Sequence, residues 1–451
     1  MGTRTVARPH QVDLVADDRD RVVDLLRAAS LLVVALGHWL LAGVWVDAQG
    51  GVHVDQLLAA RPWAQWLTWG AQVIGLFMLA GAYANATSWR NHRRRGGGYG
   101  AWLAGRFHRL LGPTLPLIAV WIPLAWLVAR AGLVAPEVLR QATQVVAVPL
   151  WFLAVYVLLV AATPGLLRWH DRHGTRVLGG LVVAAVGVEV LSRGVGVALL
   201  GWLQFPLVWG AVHQLGFFWQ DGSLRRAGRR VWVALAVTGF GGLLLVTRVL
   251  DVYPLSMVGV PGDARSNNSP PSLAVLLLAT GHLGIVMLAH RRLATWLHRS
   301  RVWAAVRTLG AMSMSVYLWH LTAMVAVLGL VLVVPGGPRL LAAPTGTSAW
   351  WLARPLWLVA FAFPTLLVVR RVLPVERATV AAAARLRGLG LDARLVVAGT
   401  LLACAAMAMF AVRGFTVPGA PFGLPVAAAA CLAGALLLVR HARRRARHAE
   451  G

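Results

Sequence analysis

The chain has 451 residues, of which 58% are hydrophobic and 13% charged, with a mean hydropathy of +0.68. A soluble globule of this size needs more polar surface, so the composition points to a membrane and excludes an ordinary cytosolic enzyme. The formal net charge of +27 would suit nucleic acid, but no lysine occurs and the 43 arginines lie between apolar runs instead of along one stripe, which argues against such a partner.

Residues 1–24 carry five acids and four arginines without an apolar core, so they read as a cytoplasmic segment and not as a signal peptide. Apolar runs of about 17 to 25 residues follow. They predict twelve helices near 28–46, 66–86, 110–129, 145–163, 177–192, 195–213, 231–249, 273–290, 308–334, 350–370, 395–412 and 423–440. The stretch 177–213 is split only by Ser192, Arg193 and Gly194, which fits a tight hairpin or a re-entrant segment. With the N-terminus inside, 34 arginines fall on inner segments and nine on outer loops. That bias predicts a multi-pass plasma-membrane protein with both termini cytoplasmic. The fold class expected is an all-α polytopic membrane protein. The basic tail RHARRRARH after the last span suits anionic lipid.

Ionisable groups inside such spans are costly and therefore informative. Arg27 and His38 are eleven residues apart, so on a helix they share one face, with His38 about 16 Å farther along the axis. An arginine at the membrane surface thus sits below an imidazole near the midplane. Asp24, three residues before Arg27, can pair with it. His320 lies thirteen residues beyond Arg307 and is expected at a matching depth, with Tyr317 and Ser313 on its face. His282 is near mid-depth and Glu189 near the outer end of its run. The outer loop from Asp251 to Ser272 offers Asn267, Asn268 and Ser269 to a sugar, or simply caps the next helix. Arg90, Arg93, Arg94, Arg95, Arg106 and Arg109 form the densest inner cluster, and guanidinium groups bind phosphate in bidentate fashion. Cys404 and Cys431 read as packing residues, and no spacing suited to a metal occurs.

Five segments carry a family resemblance. DLLRAASLLVVALGHW has an arginine, ten residues and a histidine. LFMLAGAYA (Leu76–Ala84), RFHRLLGP (Arg106–Pro113), PLWFLAVYVLL (Pro149–Leu159) and LGAMSMSVYLWHL (Leu309–Leu321) follow in order. Together they resemble the membrane acyltransferase 3 family over roughly residues 20–377. The resemblance implies a core of about ten helices that moves acyl groups, often acetyl, from cytoplasmic acyl-CoA to a hydroxyl of a glycan, glycolipid or secreted metabolite. Two positions depart from the common pattern: Tyr156 stands where many relatives carry glutamate, and Ala80 where many carry serine.

The resulting expectation is an integral-membrane O-acyltransferase. In it His38 and His320 are catalytic, Arg27, Arg106 and Arg109 bind the donor, and Asp24, Tyr317 and Trp151 support them. Acetyl-CoA is the expected donor, a carbohydrate or small-molecule hydroxyl the acceptor, and anionic lipids the surroundings. The expected domains are an acyltransferase 3-like unit at 25–377, two added helices with a linker at 378–440, and the tail 441–451. Intramembrane histidines also suit a transporter or proton-coupled permease, which is the rival expectation.

Overall fold

The structure, a computed structural model, describes residues 20–194, 196–384, 386, 390–417 and 419–450; most of the expected N-terminal segment lies outside them. Helix α1 (Arg21–Leu41) opens on Asp20, whose carboxylate accepts the Val22 N–H at 3.0 Å. It ends five residues before the expected 46 because the chain turns into a hairpin, β1 (Ala42–Val46) paired antiparallel with β2 (Val52–Gln56). Within the turn, Asp47 accepts the N–H groups of Gln49 at 2.9 Å and Gly51 at 2.7 Å, and Gly50 takes a φ of 84°. His53 pairs with Asp47 at 2.7 Å. A side chain at Gly43 would run into the side chains of Asp55 and Thr345, which would have to move.

Two short helices, α2 (Leu57–Ala60) and α3 (Thr68–Ala71), lead into the bundle. Its members are α4 (Ile74–Arg94), α5 (Tyr99–Leu111), α6 (Thr114–Arg130), α7 (Pro136–Ala147), α8 (Pro149–His173), α9 (Thr175–Gly194) and α10 (Gln204–Gln220). They continue with α11 (Ser223–Leu244), α12 (Leu273–Leu297), α13 (Ser300–Val333), α14 (Ser348–Ala384), α15 (Ala393–Arg413) and α16 (Val426–Glu450). Among the described residues ten segments are long and apolar enough to cross a membrane, and the pair α5–α6, bent by 45°, makes eleven. The remaining expected span, 195–213, is a 3-10 turn, Ala198–Leu203, that runs directly into α10, whose 17 residues lie at the lower limit for a crossing. Its pairing with α9 makes this stretch a hairpin.

Helix α1 lies along α13 and α4, α10 packs on α4 and α8, and α15 packs on α16, α8 and α5. Between α11 and α12, a side chain at Gly239 would run into the Gly281 backbone and one at Gly284 into the backbone of Trp232 and Ala236, so the helices approach closely there. On α14, Leu352, Leu356, Val359 and Phe363 recur at helical spacing and are 65–81% exposed. A stripe that apolar and that open belongs against lipid.

Candidate active site

His38 and His320 meet. The Nδ1 of His38 lies 2.8 Å from the Nε2 of His320, with the two rings nearly parallel at 3°. His320 is wholly buried, and its Nδ1 lies 2.6 Å from the backbone oxygen of Tyr317. A carbonyl only accepts, so in the neutral ring Nδ1 carries the proton and Nε2 the lone pair. His38 must then donate from Nδ1 to that lone pair, which leaves its own Nε2 unprotonated. The indole N–H of Trp39 donates to the His320 carbonyl at 3.0 Å, and its ring packs on Phe361.

His38 stands in the last turn of α1, not at the helix centre. His320 lies thirteen residues, about 20 Å, from the end of the 34-residue α13. The hairpin and the far half of α13 therefore fill the depth beyond the imidazoles. Arg354 fixes this roof: its guanidinium donates to the Ala42 carbonyl and sits 3.7 Å above the Trp350 ring.

The predicted arginines collect at the other end of the same helices. A cavity of about 380 Å³ is lined by Asp24, Arg27, Arg109, Arg307, Ser313 and Glu376, among others. A second, of about 310 Å³, is lined by His92, Arg95, Arg106 and Arg109. Arg109 and Val380 line both. The Nε of Arg27 is buried without a hydrogen-bond partner, and an orphaned charged donor of this kind costs free energy unless something else pairs with it. Glu376, 7% exposed, accepts the hydroxyl of buried Ser315 at 2.5 Å.

The cavity stops short of the imidazoles. Its last lining residues on the two helices, Leu31 and Met314, stand seven and six residues before His38 and His320, about 10 Å along the axes. Aromatic rings fill that interval. Phe77, itself part of the cavity wall, meets Phe152 edge to face at 5.2 Å. Phe152 meets Tyr317 at 5.6 Å, and the Tyr317 ring lies 6.0 Å from that of His320.

Other expected residues part from this group. Tyr317 holds His320 by its backbone carbonyl, while its hydroxyl donates to the Pro149 oxygen at 2.9 Å. Trp151 packs on Phe152 and on Phe205 of α10. His282 hydrogen-bonds the Trp69 carbonyl at 2.8 Å, and Glu189 forms an ion pair with Arg193 at 2.8 Å and accepts the Leu273 N–H at 3.2 Å. Asn267 spends its amide on the oxygens of Pro254 and Ser256 within its own loop. Tyr156 fills the space at Gly81 and accepts the Asn85 amide at 3.3 Å. Sequence reasoning missed Trp39, Ser315, Arg307 and Glu376. Glu376 had a signal, as one of only 16 acids, just past the apolar run 350–370. Among the described residues no three His, Cys, Asp or Glu side chains cluster in a way that could hold a metal ion.

No curated protein and no solved structure matches the chain. The sequence model of the acyltransferase domain, Acyl_transf_3, matches residues 20–370. That stretch holds Arg27, His38, Arg106, Arg109 and His320 and ends before Glu376, α15 and α16. Its length, more than half of the chain, decides between a permease and an enzyme: the chain belongs to the acyltransferase 3 family and is a membrane protein that transfers acyl groups.

Proposed function

We propose that the protein is an O-acyltransferase that moves an acyl group, acetyl in the first instance, from cytoplasmic acyl-CoA to a hydroxyl of a glycan, glycolipid or secreted metabolite. One observation carries this reading. Helices α1 and α13 bear an arginine-lined cavity at one end and, about 10 Å farther, a hydrogen-bonded histidine pair. The phosphates of the donor bind Arg106, Arg109 and Arg27, whose buried Nε then gains a partner. Its thioester arm threads past Phe77 and Phe152 toward the imidazoles. In this reading both termini and the donor cavity face the cytoplasm of a plasma membrane, an orientation that the arginine bias supports. Residues 25–377 form the catalytic unit, 378–440 add two helices, and the basic tail meets anionic lipid.

The chemistry starts at the Nε2 lone pair of His38. In direct transfer it takes the proton of the acceptor hydroxyl, and the oxygen attacks the thioester carbonyl. The C–S bond then breaks, and the thiolate leaves with the proton from the imidazolium. In the two-step route Nε2 itself attacks, an acyl-imidazolium forms as the thiolate leaves, and the acceptor oxygen then displaces the imidazole while its hydroxyl proton passes to the thiolate. In both, positive charge on His38 spreads through Nδ1–H to His320 and the Tyr317 carbonyl. Packed aromatic rings keep water from the thioester. Initial-burst kinetics separate the two routes.

The test is donor dependence. Purified protein in nanodiscs is given labelled acetyl-CoA with and without oligosaccharide or glycolipid acceptors. Label appearing on an acceptor, or released as acetate at a rate above that of empty nanodiscs, supports the reading. Neither binding nor turnover of acetyl-CoA or longer acyl-CoA donors would overturn it.

A further inference from the structure

We propose that the groove between α5 and α16 seats one anionic phospholipid, its phosphate held by Arg440, Arg443 and Arg444 and one acyl chain lying on Phe107, Leu436 and Val439. The groove has a volume of about 420 Å³, and these residues with His108 form its lining. Its chemistry is divided as a phospholipid's is. On α16 the positions 436, 439, 440, 443 and 444 share one helical face, with the two aliphatic residues first and the three arginines after them. Among the described residues none of these arginines joins an ion pair. Three like charges on adjacent turns repel one another, and an anion between them relieves this.

The position favours a lipid over a soluble phosphate compound. Leu436 is 40% exposed, so the apolar floor opens sideways, where the hydrocarbon of a bilayer lies. A basic pocket between membrane helices at the level where apolar sequence gives way to arginine is the kind of site that takes an anionic headgroup. His108 only lines the groove: its Nδ1 donates to the Ala104 oxygen at 2.9 Å, so in the neutral ring Nε2 is an acceptor and the phosphate is left to the arginines.

The groove is separate from the donor cavities. On α5, the mean direction of Phe107 and His108 lies about 180° from that of Arg106 and Arg109, which line the cavities. Helix α5 is thus a wall with an arginine-lined cavity on one side and the lipid groove on the other. The inference rests on the groove alone and holds whether or not acyl transfer is found.

The experiment is native mass spectrometry of the full chain, released from a neutral detergent and titrated with phosphatidylglycerol or phosphatidylcholine. Wild type should retain one phosphatidylglycerol at least tenfold more tightly than phosphatidylcholine. The combined Arg440→Gln, Arg443→Gln and Arg444→Gln variant should lose that preference, as should Leu436→Asp, which puts an anion on the floor. Arg445→Gln, on the opposite face of α16, should behave as wild type. Thermal unfolding in the same detergent checks that the variants are folded. Equal retention of the two lipids by wild type, or an unchanged preference in folded triple and Leu436→Asp variants, would overturn the proposal. Displacement of the lipid by millimolar inorganic phosphate alone would do so as well.

Discussion

The imidazoles of His38 and His320 are joined by one 2.8 Å hydrogen bond, and a second, of 2.6 Å, ties His320 to the Tyr317 carbonyl. This chain fixes the tautomer of both rings and points the proton relay in one direction. His320 then orients and buffers His38, as a carbonyl or carboxylate orients a metal-binding or catalytic histidine elsewhere. His320→Ala should lower kcat by about a hundredfold, within the range of a general-base partner, with the donor KM little changed. Tyr317→Phe keeps the carbonyl and should keep kcat within about threefold, while the lost hydroxyl bond to Pro149 costs about 1 kcal/mol of stability. Steady-state rates with thermal unfolding read both effects; a Tyr317→Phe variant as slow as His320→Ala would show that the hydroxyl, not the carbonyl, matters.

Arg27 and Arg109 line one cavity from two helices. Arg27→Gln and Arg109→Gln should each raise the donor KM about tenfold, or about 1.4 kcal/mol, with kcat preserved. Because both residues contact one donor in the proposed site, the double variant should lose less than the product of the two. Donor titrations of the three variants check this, and a fall in kcat at unchanged KM would place these arginines outside the donor site.

Asp20 links α1 to α10 and α12, accepting from Trp219 at 3.2 Å and His290 at 2.9 Å. Burial works against its charge, but His290, the Val22 N–H and Arg225 outweigh burial and hold its pKa below the usual carboxylate range. A carboxylate depressed in this way stabilises fully above its unfolded pKa of about 3.9, and the stabilisation is lost as pH falls through the lower folded value. The thermal midpoint of wild type should therefore fall more steeply than that of Asp20→Asn below about pH 4. Near neutral pH the variant should be the less stable by about 1–2 kcal/mol. Parallel melting curves from pH 3 to 8 decide it.

Arg354 stacks on Trp350 and donates to the Ala42 carbonyl, a geometry that needs a planar guanidinium. Arg354→Lys should lose the stack and destabilise the hairpin by about 1–2 kcal/mol. Faster amide exchange confined to residues 42–56 is the expected signature. Unchanged exchange there would mean that Thr345 and Asp55 suffice to hold the roof.

Residues whose positions depend on spacing along one helix were legible. Arg27 and His38 share a face of α1, and counting from Arg307 placed His320 level with His38, so their common depth follows from helical arithmetic, while their contact needed the packing of α1 on α13. The hairpin was not legible, because Ala42–Val46 is as apolar as the helix before it and its partner strand, VHVDQ, looks like a polar loop. Nor was the Ser315–Glu376 bond, which joins positions 61 residues apart on two helices. The arginine cavity was half legible: charge in a loop showed at which end the arginines gather, but only packing shows that Arg109 borders both cavities. His282 is near mid-depth as expected, but depth alone does not reveal that its ring N–H donates to the Trp69 carbonyl.

The central claim is that His38 handles the acyl group at a site separate from the one that holds the donor. It is tested most directly by measuring acetyl-CoA binding and single-turnover transfer of label in wild type and His38→Ala. The account predicts that His38→Ala binds acetyl-CoA within about threefold of wild type but transfers label at least about a thousandfold more slowly, a loss of about 4 kcal/mol. Transfer at the wild-type rate, or loss of donor binding together with transfer, would contradict it.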